Sequence, residues 1–259
     1  MKTVSFTKMA GAGNDFVMID NRQKAILKYP SRVAKKLSHR RMSIGSDGMI
    51  LLEKSKKADL KMRYFNADGS EADMCGNGIR CLAKFAVDKK IVSAKHSIET
   101  AAGIYQLEVK KAIVRVRMVE PKDLKLNIPI TVDGHKYTSN FVNTGVPHAV
   151  LMVKDLEAIN VDALGRKIRF HEAFKPKGAN VNFVKLGGGS DIHARIYERG
   201  VEAETLASGL HFNLKSPVKV HTRSGEIIKI YFKRAGSHFM DVEMEGPVTT
   251  SFEGKVEVA

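Results

Sequence analysis

The sequence predicts an α/β (α+β) fold made of two similar, strand-rich halves. Short stretches in which apolar and polar residues alternate recur along the chain, which is typical of half-buried β-strands. Several segments also recur in one order, the first three at a spacing of 132 to 134 residues and the fourth at 122, which indicates an internal duplication. A chain of 259 residues is long enough for two units of about 130 residues each.

The duplication sets the predicted domain boundaries. Four pairs of segments match in the same order along the chain: 11–19 with 145–153, 45–53 with 178–186, 59–65 with 191–197, and 100–109 with 222–231. The clearest pair, "DLKMRYF" and "DIHARIY", aligns without a gap. We therefore predict a first half at 1–119, completed by a C-terminal strand at 247–259, and a second half at 120–246.

The elements follow from local patterns. Alternation predicts strands at "KMRYF", "IYQLEV", "VRVRMV", "VKVHT" and "IIKIYF", with turns at Ala102-Gly103 and Ser224-Gly225. Helical spacing of apolar residues predicts a helix at 31–41, with Ser31 as its N-cap, and another at 76–90. We expect one helix inside a curved sheet in each half.

Composition limits the function classes. The formal charge of +15 favours anionic ligands, but the Lys and Arg residues are scattered rather than banded. No zinc-finger spacing or aromatic-basic pattern accompanies them, so we expect no nucleic-acid partner. There is no run of eighteen apolar residues and no signal-like apolar segment near residue 1, which predicts no membrane insertion and a cytoplasmic location.

Both cysteines lie in "ADMCGNGIRC" at 72–81. If Cys75 starts the helix and Cys81 lies within it, about 9 Å of helical rise separates them, too far for a disulfide. A zinc site would need further Cys or His residues at close spacing, and the sequence has none nearby. Cys81, among apolar residues, is interpreted as a small buried side chain.

Cys75 is interpreted differently because it precedes Gly76-Asn77-Gly78 at the predicted start of the helix. Free N–H groups and the helix dipole at that end favour negative charge and lower the pKa of a thiol. Cys75 is therefore a candidate thiolate base or nucleophile. The alternative is an unreactive cysteine in a Gly-rich turn.

Six blocks of the chain carry a family resemblance: "FTKMAGAGNDFVMID", "IGSDGMILLE", "RYFNADGSEADMCGNGIRC", "NTGVPHAV", "GANVNFV" and "YERGVEAETLASG". Each resembles a block of the diaminopimelate epimerases, in the same order; these are cofactor-independent enzymes of lysine and peptidoglycan precursor biosynthesis. The resemblance implies two pseudo-symmetric halves facing each other across a cleft and epimerisation of LL- to meso-diaminopimelate by proton transfer at Cα. It further implies an amino-acid substrate, no metal or other cofactor, and a homodimer.

The resemblance also implies roles for particular residues. Cys75 matches one base, Ser208 stands where the family has a second cysteine, and His148 and Glu198 match residues that support catalysis. The implied substrate-binding positions are Asn14, Asn66, Gly76, Asn77, Asn180, Glu198, Arg199 and Gly209. Structural alternatives stay open: the first two asparagines could cap turns, His148 could be a satisfied loop histidine, and Glu198 and Arg199 could form a surface ion pair.

The second half departs from the family pattern. An alcohol at Ser208 is a far weaker acid than a thiol and cannot readily be the resting base. The stretch from Ser208 to Thr222 is also eleven residues shorter than the matching stretch from Cys75 to Thr100, so the helix of the second half should be truncated. Two alternatives to the epimerase therefore remain: a weak or inactive member that binds an amino acid, and a related racemase or isomerase.

Overall fold

The structure is a computed structural model that describes residues 2–24, 26, 28–144, 146–197, 213–236 and 238–258. Its strands are β1 Lys2–Gly11, β2 Asn14–Asp20, β3 Gly48–Glu53, β4 Leu60–Asn66, β5 Glu71–Ala72, β6 Lys95–Thr100, β7 Gly103–Lys110, β8 Ile113–Arg117, β9 Lys122–Val132, β10 His135–Asn143, β11 Pro147–Met152, β12 Asn180–Leu186, β13 Asp191–Tyr197, β14 Val218–His221, β15 Ile227–Ala235, β16 His238–Pro247 and β17 Thr249–Val258. Its α-helices are α1 Pro30–Ser38, α2 Gly76–Asp88 and α3 Val161–Arg169, and a short 3-10 helix covers Glu172–Phe174. None of these helices is both long enough and apolar enough to cross a bilayer.

The chain divides into two compact units. The first contains residues 1–116 and 246–259, and the second contains residues 117–245. The first boundary therefore lies a few residues before the position given by the sequence repeat, and the C-terminal strand belongs to the first unit.

In the first unit the strands pair in the order β17, β1, β2, β3, β4, β6, β7. The pairs β2–β3 and β4–β6 are parallel and the others are antiparallel. Helix α2 packs against β1, β2, β3, β4 and β7, so the sheet curves around it. Helix α1 packs on β3 and β4, where Val33, Ala34 and Leu37 enter an apolar core with Leu51 and Phe65.

The second unit repeats this arrangement. Its strands pair in the order β9, β10, β11, β12, β13, β14, β15, β16, and the parallel pairs are again β11–β12 and β13–β14. Helix α3 packs against β9, β12 and β13. The predicted fold class of two similar mixed α/β halves is confirmed.

The strand registers measure how closely the halves correspond. Phe16 pairs with Gly48, and His148 pairs with Asn180 at the same separation along the chain. Leu60 pairs with Ile98, whereas the matching residues Ile192 and Val220 pair at a shorter separation. The connection from β13 to β14 is thus ten residues shorter than its counterpart, which in the first unit contains α2. The predicted truncated helix itself lies outside the described residues.

Both predicted helices form, with adjusted ends. Helix α2 starts where predicted, after an N-cap at Cys75, and stops at Asp88. The N-cap predicted for α1 is wrong: the cap is Tyr29, with a left-handed backbone at φ 58°, and its side chain makes no capping bond. Pro30 explains the shift, because its fixed φ and missing N–H suit the first helical position. The helix therefore starts before Ser31.

Candidate active site

Cys75 caps the start of α2. Its backbone is extended, and its Sγ accepts a hydrogen bond from the Gly78 N–H at 3.4 Å. A Cβ at position 78 would lie 2.7 Å from Ile50 Cδ1 on β3, so the end of the Ile50 side chain would have to move. The glycine lets the helix start approach the sheet, and the N–H groups of Gly76 and Asn77 are left as donors of the first turn.

The two cysteines differ in their placement on α2. Both are free thiols and both are buried, with Cys81 fully enclosed inside α2. The predictions that they do not form a disulfide and that Cys81 is a small core residue are confirmed. Cys75, the N-cap of the helix, is 4% exposed.

Two of the predicted binding asparagines meet beside Cys75. Asn14 is the first residue of β2, and its Oδ1 accepts a hydrogen bond from Asn77 Nδ2 at 2.8 Å. Asn14 Nδ2 donates to Asp47 Oδ2 at 3.0 Å, and Arg80 Nη2 donates to Asn77 Oδ1 at 2.8 Å. The structure therefore brings Cys75, Gly76, Asn77 and Asn14 together at one end of α2.

Sequence reasoning missed Asp47 and Arg80. Both lie within family-like blocks, "IGSDGMILLE" and "GNGIRC", but neither the pattern nor the spacing assigned them a role. Arg80 is fully buried in the helix, which no charge pattern on the sequence indicated. Asp47 and Arg80 are recognised only by their hydrogen bonds, Asp47 to Asn14 and Arg80 to Asn77.

Asn66 lies at the end of β4, opposite Gly48. Its Nδ2 donates to Ser70 Oγ at 3.0 Å, and its backbone N–H donates to the Ser70 carbonyl at 2.8 Å. Its side chain therefore closes the turn between β4 and β5, as the structural alternative expected. This turn lies at the end of β4 that is next to the start of β3.

In the second unit, His148 and Asn180 face each other on the parallel strands β11 and β12. His148 is buried in a strand rather than placed in a loop, and its Nδ1 lies 3.1 Å from Asn182 Nδ2. Burial lowers the pKa of His148 to about 3, so the ring is neutral near pH 7. Asn180 Oδ1 accepts from Arg169 Nη1 at 2.8 Å. The contact from Asn182 was not predicted.

Four of the predicted positions, Glu198, Arg199, Ser208 and Gly209, lie outside the described residues. Within the residues that the structure does describe, no group of three or more His, Cys, Asp and Glu side chains is arranged to hold a metal ion.

Comparison with known proteins identifies close relatives. A family model described as diaminopimelate epimerase matches residues 6–122 and 140–250. The diaminopimelate epimerase of Aquifex aeolicus is 40% identical over 275 positions, covering 98% of each chain. That of Methanocella arvoryzae is 40% identical over 276 positions, covering 100% of this chain and 98% of the relative. Both alignments are longer than 259 residues, so each relative carries residues that this chain lacks.

Solved structures share the fold at much lower identity. A phenazine biosynthesis protein of the PhzF family from Bacillus anthracis has a TM-score of 0.77 at 16% identity, covering 100% of both chains. A hydroxyproline epimerase from Agrobacterium vitis, solved with bound trans-4-hydroxy-L-proline, has a TM-score of 0.72 at 13% identity, covering 99% of this chain and 91% of that one. These likenesses show the fold alone.

Proposed function

Because the chain belongs to the diaminopimelate epimerase family, we propose that it interconverts LL- and meso-diaminopimelate. The reaction is a proton transfer at Cα without a cofactor, and its product serves lysine and peptidoglycan precursor biosynthesis. The observation that carries the proposal is the placement of Cys75 as the N-cap of α2. We further expect the enzyme to act in the cytoplasm as a homodimer, as its resemblance to the family implies.

The chemistry follows from the position of the thiol. In one direction the Cys75 thiolate removes the Cα proton, so that an S–H bond forms as the C–H bond breaks and the electron pair spreads into the adjacent carboxylate. Backbone N–H groups of Gly76 and Asn77, at the positive end of α2, stabilise that growing charge. In the other direction the Cys75 thiol returns a proton to the same face.

Inversion also needs an acid or base on the opposite face of Cα. By resemblance this group stands at position 208, where the chain has serine. A serine hydroxyl is not appreciably ionised near neutral pH, so it is poorly suited to remove the proton at rest. We propose that Glu198 and His148 support catalysis and that Asn66, Asn180, Arg199 and Gly209 bind substrate.

A second candidate function has specific support. Ser208 and the connection from β13 to β14, ten residues shorter than its counterpart, favour a catalytically weak member that binds an amino acid. Such a protein would exchange the Cα proton at Cys75 without inverting the centre. A related racemase with another substrate would instead turn over a different amino acid.

Solvent deuterium exchange separates these candidates. The protein is incubated with LL- or meso-diaminopimelate in D2O, and mass spectrometry follows deuterium at Cα while chiral chromatography follows the isomers. An epimerase gives both deuterium incorporation and interconversion. Exchange without interconversion indicates one working base, and a parallel panel including proline and hydroxyproline detects a different specificity.

Variants tie the result to Cys75. We expect Cys75→Ala to lower exchange by about 100- to 10,000-fold, the contribution typical of a general acid or base. Cys81→Ala is the matched control, since that thiol is enclosed within the helix away from its start, and it should keep exchange within a few-fold. Equal loss in both variants would contradict the assignment of Cys75, and no exchange by the wild type with either isomer would refute the proposed function.

A further inference from the structure

A directed line of hydrogen bonds runs from helix α2 to the segment before β3. Arg80 Nη2 donates to Asn77 Oδ1, Asn77 Nδ2 donates to Asn14 Oδ1, and Asn14 Nδ2 donates to Asp47 Oδ2. The three distances are 2.8, 2.8 and 3.0 Å. Two carboxamides thus lie between a guanidinium and a carboxylate.

The ends of this line fix its direction. A guanidinium can only donate and a carboxylate can only accept, so Arg80 requires the oxygen of Asn77 and Asp47 requires the nitrogen of Asn14. A half-turn of either carboxamide would set donor against donor or acceptor against acceptor. Each carboxamide nitrogen also keeps one hydrogen outside the line. A carboxamide N–H group of this kind is a donor that suits a carboxylate.

Asp47 is held independently of Asn14. Arg40 Nη2 donates to Asp47 Oδ1 at 2.8 Å, and the Arg40 guanidinium also binds both oxygens of Asp15. The backbone N–H of Asp15 donates to Asp47 Oδ2, and that of Asp47 donates to Asp15 Oδ1. Asp47 therefore keeps its place when Asn14 changes.

Asp15 anchors this arrangement in turn. Buried Lys8 pairs with it at 2.8 Å. Burial alone would raise the pKa of Asp15, but hydrogen bonds from Arg40 and Lys8 outweigh burial and lower the pKa to about 2. The Asp15 carboxylate is therefore charged near neutral pH, and the Arg40 guanidinium binds it together with Asp47.

We propose that Asp47 is a positioning residue of the epimerase, which acts through Asn14 and Asn77 by holding both carboxamides with an N–H group free for a substrate carboxylate. This role rests on the proposed function only for the identity of the ligand. The line of hydrogen bonds and its direction belong to the free protein. Replacement by asparagine tests the role, because asparagine has one acceptor oxygen, for which Arg40 and Asn14 would compete.

The first experiment needs no substrate. Side-chain amide signals of Asn14 and Asn77 are assigned in 1H–15N spectra by their loss in Asn14→Ala and Asn77→Ala. We expect Asp47→Asn to shift both signals, including that of Asn77, which the line of hydrogen bonds links to Asp47 through Asn14. Asp20→Asn is the matched control, an aspartate at the other end of β2 that pairs with Arg22. An unchanged Asn77 signal in Asp47→Asn would overturn the proposal.

The second experiment separates positioning from a purely structural role. We expect Asp47→Asn to lower kcat/KM by about 10- to 100-fold, the loss that misplaced hydrogen bonds of this kind cause. In an Asn14→Ala background the same change should cost less than about 2-fold, because residues that act through one another are not additive. Equal losses in both backgrounds would overturn the proposal.

The two arms remain informative together. Melting temperatures are measured for every variant, and if Asp47→Asn does not fold, Asp47→Glu repeats both comparisons with the carboxylate displaced by one methylene. Absent turnover in the wild type with shifted amide signals in the Asp47 variant would refute the proposed function while supporting the directed line. Normal turnover in the wild type with unshifted amide signals in the Asp47 variant would support the proposed function and refute the directed line.

Discussion

Acid should destabilise the protein through His148. Burial lowers the pKa of this histidine to about 3 in the folded chain, whereas an unfolded histidine titrates near 6.5. Between these values the proton binds the unfolded state in preference to the folded one. The free energy of unfolding is therefore intact above pH 6.5 and falls as the pH decreases from 6.5 towards 3.

The size of the effect follows from the two pKa values. Each pH unit below 6.5 costs about 1.4 kcal/mol for one such group, so two units cost about 2.7 kcal/mol at pH 4.5. His148 is 1% exposed, and solvent does little to screen the penalty. In His148→Gln the penalty disappears, because glutamine does not titrate.

Urea unfolding at pH 7.0 and pH 4.5 measures this difference. The chain has no tryptophan, so far-UV circular dichroism is the suitable signal. We expect the wild type to lose about 2 to 3 kcal/mol more than His148→Gln between the two pH values. His135→Gln, an exposed change on β10 of the same unit, should follow the wild type. Equal pH dependence in the wild type and His148→Gln would refute the reasoning.

Three further predictions concern other parts of the chain. Iodoacetamide at neutral pH should label Cys75 before the other cysteine, because only Cys75 lies at a helix start; peptide mass spectrometry showing the opposite order would contradict this. Gly165→Ala should lower the free energy of unfolding in urea titrations by about 1 to 3 kcal/mol, because its Cβ would lie 2.4 Å from Tyr197 Cβ. Gly188→Ala is the control and should be near neutral, because a Cβ there meets nothing within 4 Å. Similar losses in both variants would be inconsistent with a steric cause. Ser208→Cys should restore little epimerisation in the deuterium assay, because the shortened connection remains; recovery by orders of magnitude would show that the serine is the sole defect.

The repeated topology could be predicted because it depends on local patterns. Alternation marks the strands, and the recurrence of 59–65 at 191–197 marks their equivalence before any contact is known. The start of α2 was equally accessible, because Cys75-Gly76-Asn77-Gly78 combines a capping side chain with a flexible backbone. Features that depend on neighbouring residues in the chain could therefore be predicted from the sequence.

The cluster of charged residues that holds Asn14 in place was not predicted, because its members are distant from one another in the sequence. Lys8, Asp15, Arg40 and Asp47 meet only after β1, β2 and the segment before β3 have packed. No pattern on the sequence indicated that Lys8 is buried, yet it is 6% exposed. The helix start at Pro30 was misplaced for the opposite reason, since a local rule favoured serine over the stronger backbone constraint of proline.

The pairing of β1 with β17 imposes an order on biosynthesis. Lys2 pairs with Val258 and Ala10 with Thr249, so β1 finds one of its two neighbouring strands only after the strands between β1 and β17 have been translated. Until then β1 offers an open edge, and Phe6 and Val4 lack the cover of Val258 in their shared core. All described strands of the second unit, in contrast, are translated before β17. In nascent chains, the described strands of the second unit should therefore become protease-resistant before those of the first unit, which reverses the usual N-to-C order of domain folding.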